Sequence, residues 1–128
     1  MNFVRMLFFR ADGKMNEEIL NDIAIKRRLI LSFMDLIILH TLSSHKQGIG
    51  GYDIIRHLHL DYNILLSPGT VYSCLYTLER KGLIKGRQNG RKRIYNITQH
   101  GEKTIRALQA TKNKIGTLIS MLLYGTRR

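Results

Sequence analysis

The segment 66-LSPGTVYSCLYTLERKGLI-84 holds the only proline of this 128-residue chain, and a glycine and a threonine follow it directly. Proline is best tolerated in the first turn of a helix, where its missing N–H would have no partner. The segment therefore predicts a helix with Ser67 as N-cap, Pro68 in the first turn and Gly82 at the end. Three- and four-residue spacing predicts the buried face, which consists of Val71, Cys74, Leu75 and Leu78. The other faces carry Gly69, Thr70, Tyr72, Ser73, Tyr76, Thr77 and Arg80.

The segment after this helix is typical of a basic β-hairpin. Two short strand-like pieces flank Asn89-Gly90, a dipeptide that tolerates the positive φ angles of a tight turn. The stretch from residue 80 to residue 101 contains no acid and seven bases, which are Arg80, Lys81, Lys85, Arg87, Arg91, Lys92 and Arg93. A hairpin of this charge beside a capped helix favours contact with a polyanion.

Three helices are predicted before the proline. The first runs from Asn16 to about Arg28, with bases in its last turn and an apolar face of Ile19, Leu20 and Ile23. Ser32 and Asp35 resemble a capping box, so the second is expected from about Phe33 to Ser43, with Leu36, Ile37, Leu39 and Leu42 toward the core. Glycines then break the chain, and the third is a short amphipathic helix through Ile54, Ile55 and Leu58.

The C-terminal segment predicts one long helix capped by Thr98. Its residues recur at alternating three- and four-residue steps, the period of a coiled coil, in the stripe Ile105, Leu108, Lys112, Ile115, Ile119 and Leu122. Together with Leu118, Met121 and Leu123 this is more apolar surface than a small domain covers by itself. We therefore expect a homodimer interface in which the first helix, through Ile19, Leu20 and Ile23, also takes part. The alternative is that the final helix folds back on its own domain.

Charge and composition narrow the class of protein. The formal net charge is +12, from 21 Lys and Arg against 9 Asp and Glu, which indicates nucleic acid, an anionic membrane or a basic surface without function. The longest apolar run carries Asp35 and His40 and is too short and polar for a bilayer. Cys74 is the only cysteine, so an intrachain disulfide is excluded and a reducing, cytoplasmic compartment fits. The apolar run at the start of the chain is interrupted by Arg5, which favours an extension over a signal peptide.

No catalytic, metal or cofactor site is predicted. The five histidines lack ligand spacing, and no Gly-rich phosphate loop, HExxH motif or activated nucleophile can be found. We therefore expect a protein that is not an enzyme and has no cofactor. A buried role for Cys74 is favoured over a redox role.

These elements predict an α+β, mainly α fold: a winged helix-turn-helix domain with an added N-terminal helix and a long C-terminal dimerisation helix. We divide the chain into an extension (1–15), a DNA-binding domain with its N-terminal helix (16–97) and the dimerisation helix (98–128). A slim helix tip can enter a major groove about 12 Å wide while a flanking hairpin follows the backbone. On this geometry Ser73, Arg80, Lys85, Arg87 and Lys92 are further candidates for DNA contact.

The blocks 51-GYDIIRHL-58, 66-LSPGTVYSCLYTLERKGLIK-85 and 91-RKRIYNITQHGEKTIRAL-108 resemble the PadR family of transcriptional regulators. The resemblance covers roughly residues 33–108 and implies a homodimeric repressor that binds a palindromic operator in double-stranded DNA, hence a cytoplasmic, nucleoid-associated protein. It implies DNA contacts at or near Tyr52, Ser67, Pro68, Gly69, Thr70 and Tyr72, with Arg91 and Arg93 in the wing. The chain lacks the tryptophan that some relatives use to stack planar drugs, so a small-molecule effector stays open but unsupported. The competing hypothesis is a winged helix that binds nucleic acid without operator specificity, or that binds protein.

Overall fold

The structure, a computed structural model, describes residue 12 and residues 17–126, with the backbone alone for residues 17–22. Two compact units divide between Met34 and Asp35. The described elements are α1 (Glu17–Ser32), α2 (Met34–Ser43), β1 (Ile49–Gly50), α3 (Gly51–Tyr62), α4 (Pro68–Arg80), β2 (Ile84–Asn89), β3 (Lys92–Ile97), α5 (Gln99–Gln109) and α6 (Lys112–Tyr124). This mainly helical arrangement around a small antiparallel sheet confirms the predicted winged-helix fold. None of the helices in the described ranges is long and apolar enough to cross a membrane.

Helix α1 is longer than the sequence pattern predicts. It continues past Arg28 to Ser32, because no glycine or proline interrupts this stretch, and its last turn contains no base. The prediction of bases in the last turn was therefore wrong. The side chains of Ile19 and Leu20 lie outside the described part of the chain, and Ile23 is exposed.

The core of the second unit lies between α2, α3, α4 and the sheet. In α2 the fully buried residues are Ile38, Leu39 and Leu42, whereas Leu36 and Ile37, both predicted to face the core, are only partly buried. The buried face predicted for α2 is therefore rotated by about one residue from the observed face, because the prediction omitted Ile38. The other buried core side chains include Ile54, Leu58, Val71, Leu75, Leu78, Ile84 and Tyr95.

Helix α4 begins and ends as predicted. Ser67 is its N-cap in extended conformation and Pro68 its first residue. At the other end Gly82 adopts φ +73°, and the N–H of Leu83 donates to the carbonyl of Leu78 at 3.0 Å, which is a Schellman ending. Burial raises the pKa of the Cys74 thiol to about 11, so the thiol is protonated at neutral pH and is a poor nucleophile.

Within the described residues the sheet has three antiparallel strands in the order β1-β3-β2. The sequence predicted only the hairpin, because Ile49–Gly50 lies among glycines that were interpreted as a break. The hairpin turn is also shifted by one residue. Asn89 pairs with Lys92 inside the ladder, so the loop is Gly90-Arg91 and Gly90 alone takes a positive φ of 64°.

The prediction of a single C-terminal helix was wrong, although its cap was correct. The Thr98 side chain accepts the N–H of Gly101 at 3.1 Å, as a helix N-cap does. The helix then breaks between α5 and α6, where the Thr111 hydroxyl donates to the carbonyl of Leu108 at 2.7 Å and Thr111 leaves helical geometry with ψ 11°. A side chain that bonds back to its own backbone competes with helix continuation at this point.

Candidate nucleic-acid interface

The N-terminal tip of α4 is open to solvent. The residues from Ser67 to Thr70 are all exposed, and the Ser67 side chain makes no capping hydrogen bond, so its hydroxyl is available to a ligand. A Cβ added to Gly69 would meet only the Ser67 hydroxyl, at 3.6 Å. Packing within the described part of the chain therefore does not require a glycine at this position.

A cavity of about 200 Å³ beside the tip brings together residues that lie far apart in the sequence. It is lined by Gly50, Gly51, Tyr52, Asp53, Tyr72, Arg91, Lys92 and Arg93. The start of α3, the first turns of α4 and the hairpin tip therefore meet at one place. The predicted site residues Tyr52, Tyr72 and Arg91 are all part of it.

Gly51 allows the Tyr72 ring to lie across the start of α3. A Cβ at Gly51 would lie 2.7 Å from Cε1 of Tyr72 and 3.0 Å from its hydroxyl oxygen, closer than side chains tolerate. The glycine of the GY pair thus has a packing role, while Tyr52, 69% exposed, points to solvent. The sequence pattern had placed Tyr52 in the interface but had assigned no role to Gly51.

The basic side chains of the hairpin are solvent-exposed, as predicted for Lys85, Arg87, Arg91 and Lys92. Arg87 reaches the carbonyl of Gln47 at 3.5 Å, a distance at which hydrogen bonds are weak. Arg91 forms no ion pair or side-chain hydrogen bond with any residue of the described ranges. Its charge is therefore available to an external anion.

Arg93 differs from the other wing cations because it already has an anionic partner. Its Nη2 donates to Oε1 of Glu79 at 2.7 Å, and this bond to the carboxylate raises the pKa of Arg93 above its ordinary value. The Arg93 guanidinium carbon also lies 5.8 Å from the centre of the Tyr95 ring. Glu79 lies just outside the acid-free stretch of the sequence, and no spacing rule connects it to residue 93, so sequence reasoning missed this contact.

Beyond its tip, α4 also exposes predicted candidates. Ser73 and Arg80 lie on its open face, and the Arg80 guanidinium carbon is 5.7 Å from the centre of the Tyr76 ring. Tyr76 is 63% exposed, which excludes a place in the core of the described chain. The exposed face of α4 is therefore continuous from its tip to its last turn.

The apolar stripe of the C-terminal segment divides between two environments. Ile105 is buried within its own unit, so little of its surface is left for a partner, and Leu108 is partly buried beside it. In contrast, no residue of α6 is buried, and Leu118 and Leu122 are 57% and 85% exposed. An open apolar groove of about 400 Å³ lies between α2, the end of α3, α5 and the start of α6. It is lined by Leu36, Ile37, His40, Tyr62, Ile105, Leu108, Gln109, Lys112 and Ile115.

Helices α3 and α4 followed by a basic β-hairpin define a winged helix-turn-helix protein of the DNA-binding class. Within that class, the chain belongs to the PadR-like family of transcriptional regulators, whose family model matches residues 38–107, more than half of the chain. Members of this family are regulators and are generally not enzymes. A comparison with curated proteins finds no match.

Solved structures support the same fold. A PadR family transcriptional regulator from Eggerthella lenta DSM 2243 is similar with a TM-score of 0.66 and 21% identity, over 86% of this chain and 96% of that one. A transcriptional regulator from Clostridium thermocellum gives 0.64 and 25% identity, over 73% and 92%. A PadR family transcription regulator from hypervirulent Clostridium difficile R20291 gives 0.60 and 25% identity, over 71% and 98%.

Proposed function

We propose that this protein is a homodimeric repressor that binds a palindromic operator in double-stranded DNA. The observation that carries the proposal is the meeting of Tyr52, Tyr72 and the hairpin cations at one cavity beside the open tip of α4. The net charge of +12 supports a polyanionic partner. We expect repression because a dimer bound over a promoter blocks the access of RNA polymerase to that promoter.

In the proposed complex α4 enters the major groove with its N-terminus first. Thr70 and Ser73 are the side chains we expect at base edges, because both are exposed and carry hydroxyl groups. The hydroxyls of Tyr52 and Tyr72 and the basic residues of the hairpin bind phosphates, which orients the protein without selecting a sequence, and Arg93 contributes least because it is paired with Glu79. Pro68 and Gly69 keep the tip rigid and narrow.

The exposed apolar side of α6 supports the dimer. Two copies related by a two-fold axis present two α4 helices to half-sites about one helical turn, ~34–36 Å, apart. A transcriptional regulator acts on chromosomal DNA, so we place it in the cytoplasm, without a catalytic role. In this arrangement residues 1–15 form an extension, residues 16–97 the DNA-binding domain with its N-terminal helix, and residues 98–128 the dimerisation segment.

Selection from a pool of random-sequence DNA duplexes tests this function. We expect enrichment of one sequence with inverted symmetry, which the protein then binds at least about a thousandfold more tightly than a scrambled duplex, as is usual for specific binders. Thr70→Ala should weaken binding to the enriched duplex by about 1–3 kcal/mol while sparing the scrambled one.

Thr104→Ala is the matched control, because the Thr104 hydroxyl only donates to the carbonyl of His100 within α5. It should leave both affinities unchanged. If no sequence is enriched and every duplex binds equally, the protein is a general nucleic-acid binder, and the operator proposal is overturned.

A further inference from the structure

A carboxylate in the last turn of α4 holds the hairpin in place. Oε1 of Glu79 accepts the backbone N–H of Gly86 at 2.7 Å and the Nη2 of Arg93 at 2.7 Å, and Oε2 accepts Nη2 at 3.1 Å. One side chain of the helix therefore bonds to both strands of the hairpin. We call Glu79, Gly86 and Arg93 the wing clamp.

The Gly86 N–H depends on Glu79 because β2 is an edge strand. In the order β1-β3-β2 the outer side of β2 has no strand partner among the described residues. Edge N–H groups need another acceptor or water. The carboxylate supplies an acceptor, and a charge-assisted bond of this kind is roughly twice as strong as a neutral one.

Gly86 also makes room for Arg93. A Cβ at residue 86 would lie 2.5 Å from Nε and 2.8 Å from Cζ of Arg93, so the guanidinium packs directly against the glycine. Arg93 is thus held between the Gly86 backbone and the Glu79 carboxylate. Both bonds to Glu79 come from Nη2 alone, and it is the additional packing of Nε and Cζ against Gly86 that the single ammonium group of a lysine does not reproduce.

We propose that Glu79 is a positioning residue for DNA recognition: it sets the angle between α4 and the hairpin, and thereby lets the base-reading tip and the wing cations engage the same duplex. The proposal rests on the proposed function, because it concerns how that interface discriminates between sequences. The main role of Arg93 is consequently its bond to Glu79, whereas Arg91 and Lys92 at the hairpin tip bind the DNA phosphates.

Removal of the carboxylate has two separable consequences: the lost negative charge changes the affinity for all DNA, and the lost clamp changes the preference for the operator. A negative charge next to a DNA-binding surface repels phosphate, so its loss by itself should tighten binding to every sequence. Loss of the clamp should instead weaken the preference for the operator over other DNA. The ratio of the two affinities therefore separates the two effects.

The test compares Glu79→Gln with Glu102→Gln. Glu102 is a matched control because it is also an ion-paired carboxylate, accepting Lys46 at 2.6 Å, but lies on α5 outside the hairpin. Both substitutions remove one negative charge. The probes are the enriched duplex and its scrambled counterpart, and the exchange rate of the Gly86 amide proton reports the clamp without any DNA.

We expect Glu79→Gln to speed Gly86 exchange, to leave or raise affinity for the scrambled duplex, and to lower discrimination about tenfold, as for the loss of one good base contact. Glu102→Gln should keep wild-type discrimination. Arg93→Lys, which keeps the charge but loses the planar group, is a second route to the same loss should Glu79→Gln fold poorly.

Unchanged discrimination in Glu79→Gln or in a folded Arg93→Lys overturns the positioning role, and so does an equal loss in Glu102→Gln. A wild-type protein that discriminates between no sequences is a different result. It overturns the proposed function itself, and the positioning role falls with it.

Discussion

Arg91 and Arg93 are two positions apart in the hairpin, but their surroundings give them different roles. Arg91 has no ionic partner in the described part of the chain, whereas Arg93 is paired with Glu79. A cation that is already neutralised within the protein has less charge to offer a phosphate. Local pairing therefore separates residues that composition treats as equivalent.

This difference predicts unequal salt dependence for two single substitutions. Arg91→Ala should weaken binding to all DNA and flatten the slope of log K against log salt by about 0.9, the value for one lost phosphate contact. Arg93→Ala should flatten it clearly less. Titrations of the scrambled duplex at several salt concentrations measure both slopes, and equal flattening would contradict the assignment of Arg93 to the clamp.

The junction between the hairpin and α5 shows how one short motif joins several elements. The Thr98 hydroxyl donates to the carbonyl of Gly82 at 2.6 Å while accepting from Gly101, so it links the end of α4 to the start of α5. A Cβ at Gly101 would overlap the carbonyl oxygen of Leu83. The spacing T-x-x-G therefore reflects a close approach between backbones.

Alanine at two helical glycines should have opposite effects on stability. Gly101→Ala forces a backbone shift and should cost about 1–3 kcal/mol of unfolding free energy, the usual range for overpacking. Gly116→Ala meets no atom of the described residues within 4 Å, so it should stabilise α6 by about 0.5–1 kcal/mol through helix propensity. Denaturant unfolding at one protein concentration measures both, and a neutral Gly101→Ala would mean that the close approach at Leu83 is not rigid.

At the scale of the whole molecule, α6 determines the assembly that we propose. Its exposed leucines cover no core of their own unit, and an exposed apolar surface of this kind is typical of an interface. The break at Thr111 makes α6 a separate element from α5, so disruption of the dimer need not disturb the DNA-binding unit.

A charge placed on this surface should separate the subunits. Leu122 is 85% exposed in the single chain and becomes buried in the proposed dimer interface. Leu122→Glu should therefore give a monomer at micromolar concentration, because burial of a carboxylate in that interface is costly. Operator affinity should fall strongly, since the second half-site loses its high effective concentration. Ser120→Glu, an exposed neighbour with the same charge change, is the control. Light scattering measures the mass, and a Leu122→Glu dimer would remove α6 from the interface.

Local sequence rules predicted the parts of this protein that depend on neighbouring residues. Pro68 and Gly82 mark the ends of α4 because their backbone preferences act within one turn. Thr98 caps α5 for the same reason. The period of Val71, Cys74, Leu75 and Leu78 predicted a buried face, and the structure buries Val71, Leu75 and Leu78 but leaves Cys74 only partly buried. With the family blocks, these signals were enough for the winged-helix fold and for most of the exposed candidate residues.

The remaining features depend on contacts between distant segments, which no local rule contains. Strand β1 exists because Ile49 and Gly50 pair with β3, more than forty residues later in the chain. Glu79 meets Gly86 and Arg93 only once the hairpin register and its position against α4 are set. The hairpin has no acid in its own sequence, but the folded chain places a carboxylate against it. The sequence by itself determined which helices and turns form, since their stability is local. The tertiary structure decided which cations are free and which hold the wing, because ion pairs depend on distances that only the folded chain defines.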